Sequence, residues 1–452
     1  MSFDVELFKY ICGAAEEFEN GLATNPVVPP KKAIENLNIF DEAMPTEKTP
    51  ALDVVKMLHE IGGPATTLSR SGRFFGFVVG GTLPVSVASS WLTSTWDQNA
   101  TLTMLGYTAA KLEQVSRKWI VQMLGLPEDC GMGFVTGATM GAFTALSAAR
   151  HKIYKNCGYD LKKGGLKKAP KIRFVISEDI HATNISALNY MGHGSDEMEF
   201  VAVNDQGLII IDKMPALDAQ TIVIIQAGNI NSGAFDDFSK VCAIAKKAGA
   251  WVHVDGAFGG WIKVSKTRKH LAQGMELADS WSIDCHKWLN VPYDSAIAIC
   301  RDRNAFMETF TISASYLLTD GERIPNNFTP ELSRRARGID VWAALKHLGK
   351  DGFGQMIDQC CDHALNFSKE LEKIGFTIMN DVVINQVVFC LKDNDDQRLK
   401  RVMERVQEGG EAWFGPTKWQ NRNVFRMSVS SHETTKQDLE VALGAIKKAL
   451  TD

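Results

Sequence analysis

Between Lys171 and Arg303 the chain repeats one pattern: a short apolar run that stops at polar residues, followed by a longer segment of helical spacing. The runs are Arg173–Ser177, Phe200–Val203, Thr221–Gln226, Trp251–Val254, Ser280–Ile283 and Ala296–Cys300. Strands joined by helix-length segments form βαβ units, because a parallel return needs a crossover of a dozen or more residues. Near-continuous apolar composition in such strands means that both faces of the sheet are covered. The expectation is an α/β fold with a large, mostly parallel sheet. In open sheets of this kind ligands bind beyond the carboxyl ends of the strands. The residues placed there are His181 after the first run, Gln226 and Asn229 after the third, Asp255 after the fourth and Lys287 after the fifth. Packing alone does not account for so many polar groups along one edge.

Lys287 and Asp255 together suggest a chemistry. An amine can hold an aldehyde as a Schiff base, and a carboxylate can keep a pyridine nitrogen protonated, so the pair suits pyridoxal 5′-phosphate. Taken singly, a lysine is most often a surface residue and an aspartate often caps a helix; neither explanation accounts for the two at neighbouring strand ends. A second stretch, Gly131 to Arg150, runs from a small-residue turn (Thr136 to Gly141) into an alanine-rich helix. A helix start reached through small residues offers open N–H groups and the positive dipole end to a phosphate. The same glycines and alanines serve equally for close helix packing.

Composition excludes several classes. The 452 residues call for two or three structural units, and 45% hydrophobic with 23% charged residues is ordinary for a soluble globular protein. A net charge of −4, from 49 basic and 53 acidic residues, provides no field for nucleic acid or an anionic membrane. No apolar run approaches a membrane span, and the amino terminus lacks a basic n-region, so a cytoplasmic protein is expected. Nine cysteines lie scattered without metal-ligand spacing and read as reduced thiols, and no metal site is expected.

At Thr136–Ala142, His181, His253–Ala257 and Asp284–Lys287 the sequence resembles the group II pyridoxal-phosphate-dependent amino acid decarboxylases, the family of aromatic-amino-acid, histidine and glutamate decarboxylases. The resemblance runs from about Phe74 to the carboxyl terminus. It implies an aspartate-aminotransferase-like fold (PLP fold type I): a large domain with a mostly parallel sheet, a smaller α+β carboxyl-terminal domain, and a homodimer with shared active sites. It also implies roles. Lys287 would hold the cofactor and Asp255 would pair with the ring nitrogen. Ala257 and His181 would flank the two ring faces, while Ala138, Thr139 and His286 would meet the phosphate. Asp284 is counted among the cofactor-binding residues, and Gln226 and Asn229 fall near the ring hydroxyl. Arg426 is placed to meet a carboxylate, or else to form a structural ion pair. The expected partner is an amino acid, as a small-molecule substrate. The expected reaction is its decarboxylation to an amine; transamination, aldol cleavage and carbon–sulfur lysis on the same cofactor, or a non-catalytic relative, are the alternatives.

The expected division is a helical, proline-punctuated arm (residues 1–83), a large cofactor domain (84–348) and a small α+β domain (349–452). Two departures from the family stand out. Gly256 replaces a common alanine, and an exposed loop around Asp320–Pro330 lacks tyrosine between Leu317 and Arg335, where relatives carry one that protonates the substrate carbon.

Overall fold

A computed structural model describes residues 4–312 and 324–451. Seven strands form the main sheet: β1 (Gly131–Val135), β2 (Arg173–Ser177), β3 (Met198–Val201), β4 (Thr221–Gln226), β5 (Trp251–Asp255), β6 (Ser280–Asp284) and β7 (Ala296–Cys300). Their order is β1-β7-β6-β5-β4-β2-β3. Pairs β2/β3, β2/β4, β4/β5 and β5/β6 are parallel, while β7 runs antiparallel to both β6 and β1. The sheet is thus mostly parallel. Every residue of β1, β4, β5, β6 and β7 is buried, as expected where helices cover both faces. The third strand starts and ends two residues earlier than its apolar run suggests.

Register decides what the carboxyl edge presents. Gln226 of β4 stands opposite Asp255 of β5, and Asp255 opposite Ser282 of β6. Because β7 is reversed, its first residue, Ala296, faces both Asp284 and Val135. The polar ends of four strands therefore line one edge.

The helix Ala138–Asn156 packs on β6 and β7. Gly141 makes this approach possible, since a Cβ there would sit 3.1 Å from Cβ of Ser282. In β1, a Cβ on Gly133 would collide with the carbonyl of Phe328, so that strand admits no side chain at this point. Phe328 and its neighbours Asn326 and Thr329 are buried, which corrects the expectation of an exposed loop for residues 325–330. The rest of that expected loop, residues 320–323, lies outside the described residues.

The described chain divides into two compact units: residues 82–365 with 380–387, which hold most of the main-sheet layer, and residues 1–81 with 366–379 and 388–452. The amino-terminal arm thus belongs with the carboxyl-terminal part, not with a unit of its own. Its residues enter that core directly. Phe75 packs on Phe414 and Phe367 with ring centroids 5.3 and 6.3 Å apart, and Phe389 meets Phe414 edge-on at 5.9 Å. Arg73 donates to the carbonyls of Glu411 and Asn25 at 3.0 and 2.8 Å. A smaller sheet has the order β10-β11-β9-β8, with β8 (Phe376–Ile378), β9 (Gln386–Leu391), β10 (Gly415–Trp419) and β11 (Arg422–Ser428). The helical run Gly338–Lys373 breaks at Gly349 (φ 60), next to the expected border at 348/349, but the two units part at 365/366.

Candidate active site

A cavity of about 260 Å³ opens at the carboxyl edge of the main sheet, and all of its lining residues belong to one compact unit. Ala138, Thr139, His181, Gln226, Asp255, Ala257, Asp284, His286 and Lys287 line it. Asn229 does not. Its Oδ1 accepts from the backbone N–H groups of Asn231 and Ser232 at 2.9 and 3.2 Å, so the side chain builds the turn after β4 instead of the cavity wall.

Asp255 ends β5 and is 6% exposed. Its Oδ1 accepts from the N–H of Ala257 at 3.1 Å, and its Oδ2 accepts from Nδ2 of Asn184 at 2.6 Å. A methyl group on Gly256 between them would be tight: its Cβ would lie 3.3 Å from Ile283 and 3.2 Å from Gly260, so these neighbours would have to give by a few tenths of an ångström. The glycine that departs from the family pattern is therefore matched to the bulk of Ile283.

Lys287 follows β6, and its Nζ lies 3.0 Å from Oδ2 of Asp284. The other oxygen of Asp284 is buried without a hydrogen-bond partner, 3.6 Å from Nε2 of His286. The ring of His286 is fixed by two contacts. Its Nδ1 accepts from the N–H of Ser295 at 3.1 Å, and Tyr293 packs on it with centroids 4.4 Å apart. Burial pulls its pKa below the ordinary histidine value. A neutral ring accepting at Nδ1 must carry its proton on Nε2, where it can donate.

Next to His286 begins the helix Ala138–Asn156. Gly137 is its N-cap and supplies no side-chain cap, so the first-turn N–H groups remain open at the cavity. A Cβ on Gly137 would lie 3.6 Å from Cε1 of His286, so the cap also stays narrow enough for both to face one ligand group.

His181 is the N-cap of the helix Ala182–Tyr190. Its Nδ1 lies 2.7 Å from Oγ1 of Thr183 and accepts from the Thr183 N–H at 3.3 Å, which leaves Nε2 to carry the proton of a neutral ring. Gln226 is 3% exposed, and its Nε2 is a buried donor without a partner at the cavity. Its backbone N–H donates to Asp236 at 2.8 Å; complete burial raises that carboxyl to about 6.

Three residues escaped the sequence reading. Thr183 orients His181, Asn184 holds Asp255, and Phe258 closes the wall beside Ala257. Thr183 reaches His181 from two positions away, whereas Asn184 meets Asp255, 71 positions on, only because β2 and β5 lie in one sheet with β4 between them. Arg426, in the other unit, is 9% exposed, with its pKa lowered by burial to about 10, and donates to the carbonyl of Phe77 at 3.2 Å. Among the described residues no group of His, Cys, Asp or Glu is placed to hold a metal ion, and no helix is long and apolar enough to cross a membrane.

These residues fit pyridoxal 5′-phosphate. The orphaned Nε2 of Gln226 and Oδ1 of Asp284 point to a missing polar partner, the open helix start suits an anion, and the amine of Lys287 suits an aldehyde. Comparison with known proteins agrees. The profile of the pyridoxal-dependent decarboxylase conserved domain matches residues 30–392. An aromatic-L-amino-acid decarboxylase of Bacillus atrophaeus is 24% identical over 389 residues, covering 82% of this chain and 80% of that protein. The crystal structure of Oryza sativa TDC with PLP and tryptamine has a TM-score of 0.90 at 19% identity, covering 100% of this chain and 99% of that one. Mouse CSAD in apo form gives a TM-score of 0.89 at 20% identity, with 98% of each chain covered. These structures share the type I fold. A profile match over most of the length, on that fold, establishes that the chain belongs to the pyridoxal-dependent decarboxylase family and is a PLP-dependent carboxy-lyase.

Proposed function

We propose that the protein removes the α-carboxylate of an L-amino acid as carbon dioxide and leaves the amine. The observation that carries this reading is the meeting of Lys287, Asp255 and His181 in one cavity, with Asp255 held by two N–H donors. When bound, pyridoxal phosphate supplies an electron sink for the bond broken at Cα. Every other role falls to the chain. Lys287 would hold the cofactor aldehyde, and Asp255 would set a fixed negative charge at the ring nitrogen. The first-turn N–H groups of Ala138 and Thr139, with Nε2–H of His286, would hold the phosphate. Ala257, His181 and Gln226 would contact the ring. Asp284 pairs with the Lys287 ammonium while the amine is free.

Loss of carbon dioxide must be followed by delivery of a proton to Cα, and an acid positioned there sets the product. His181 is the group we assign, acting as the protonated ring with Nδ1–H donating to Oγ1 of Thr183 and Nε2–H as the acid. The test is to incubate the purified protein with each L-amino acid and measure carbon dioxide, amine, keto acid and aldehyde. Equal amounts of carbon dioxide and amine from at least one substrate are expected; keto acid without carbon dioxide would overturn the reading. In the same assay His181→Asn and His181→Gln are expected to slow amine formation roughly 10²-fold, the scale of one general acid, with a rise in side products. Tyr316, one residue before the tyrosine-free span and outside the described residues, provides the control. If Tyr316→Phe stalls the reaction while the His181 variants do not, the acid is Tyr316 and not His181.

A homodimer with shared active sites completes the proposal. Trp91, Leu92 and Trp96 of the helix Pro84–Trp96, with Met104, Leu105 and Tyr107 just after it, are exposed large apolar side chains, and so much apolar surface is uncommon on a monomer. Light scattering is expected to give twice the chain mass. A fully active monomer would refute the shared site.

A further inference from the structure

Asn184 lies on the first turn of the helix Ala182–Tyr190, three positions after His181, and is 1% exposed. Its Nδ2 reaches Oδ2 of Asp255 at 2.6 Å and is 3.4 Å from the carbonyl of His181. Rotating the amide would aim its oxygen at a carboxylate oxygen and lose the 2.6 Å hydrogen bond, so Asp255 favours the observed orientation. That orientation leaves Oδ1 of Asn184 buried with no hydrogen-bond partner. An apolar side chain here would bury no unsatisfied oxygen, so packing does not explain an amide. The bond to Asp255 does.

We propose that Asn184 is a positioning residue that fixes the plane of the Asp255 carboxylate toward the cofactor ring and ties it to the helix that His181 caps. Two N–H donors, from Ala257 and Asn184, engage the two oxygens separately and stop the carboxylate from turning. Each oxygen keeps a lone pair for the cavity. Since His181 begins the helix that carries Asn184, the two groups assigned to the ring and to its face move as one rigid element. The inference rests on the assignment of Asp255 to the ring nitrogen.

The test uses binding rather than turnover. The full-length protein, stripped of cofactor, is titrated with pyridoxal 5′-phosphate and with its 1-deaza analogue, in which C–H replaces the ring nitrogen. The wild type is expected to prefer the natural cofactor. In Asn184→Leu that preference is expected to fall roughly tenfold or more, the scale of one hydrogen bond to a charged group, with affinity for the analogue little changed. Asn184→Ser is too short to reach Asp255 and is expected to behave alike, which keeps the test usable if the leucine variant does not fold. A side chain that merely packs would weaken both ligands together; an unchanged preference would overturn the proposal. A wild type without preference would overturn the assignment of Asp255 itself, and the two failures are distinct.

Discussion

Lys287→Ala is expected to give a folded protein whose turnover falls roughly 10⁴-fold or more, the scale of deleting a covalent nucleophile. The amine stands just past β6 with its Nζ 3.0 Å from Asp284, and among the residues lining the cavity it is the one lysine. Removal has two consequences that a second variant separates. The aldehyde loses its covalent hold, and Asp284, whose side chain is 3% exposed, loses its cationic partner. Breaking a buried pair by deleting one member costs about 3–5 kcal/mol. Lys287→Arg keeps a positive charge beside Asp284 but brings no nucleophilic amine. It is therefore expected to be as inactive as the alanine variant while melting at a higher temperature. Steady-state rates with thermal melts check both halves. Equal melting temperatures would mean that the ion pair contributes nothing to the fold.

Asp255→Ala is expected to lower turnover roughly 10³-fold without unfolding the protein. A neutral ring nitrogen is a poorer sink for electrons, and on the proposed assignment the carboxylate is the fixed charge that would prevent neutrality. Asp255→Asn keeps the shape and removes the charge. It also sets an amide against the Nδ2 of Asn184 and the N–H of Ala257, both donors, so one of its two groups must turn away. A loss of about 10²-fold or more is expected for this variant too. Wild-type turnover in Asp255→Asn would show that charge at this position is not used.

The positions of the strand ends were legible because apolar runs and their polar stops are local. Trp251–Val254 and Ser280–Ile283 needed one more residue each, and those residues, Asp255 and Asp284, are the ones that line the cavity. The helix start after Gly137 was legible for the same reason. Residues acting across the sheet were not. Asn184 meets a partner 71 positions away, and nothing in its neighbourhood hints at Asp255 until β2 and β5 lie in one sheet. Asn229 misled in the opposite sense, because a polar residue after a strand can face the ligand or close the turn. Here two backbone N–H groups claim its oxygen.

The division of the chain was obscured by the same non-local contacts. Phe75 reads as part of an arm, yet its partners Phe367 and Phe414 lie near the other end of the sequence. Likewise, Phe328 sits in a stretch rich in turn residues and still becomes 1% exposed, because Gly133 leaves a gap that its backbone fills.

The most direct test of the cofactor site is borohydride reduction of the yellow, cofactor-loaded protein, followed by proteolysis and peptide mass mapping. The account predicts a single phosphopyridoxyl group, on Lys287. A label on any other lysine, or none at all, would contradict it.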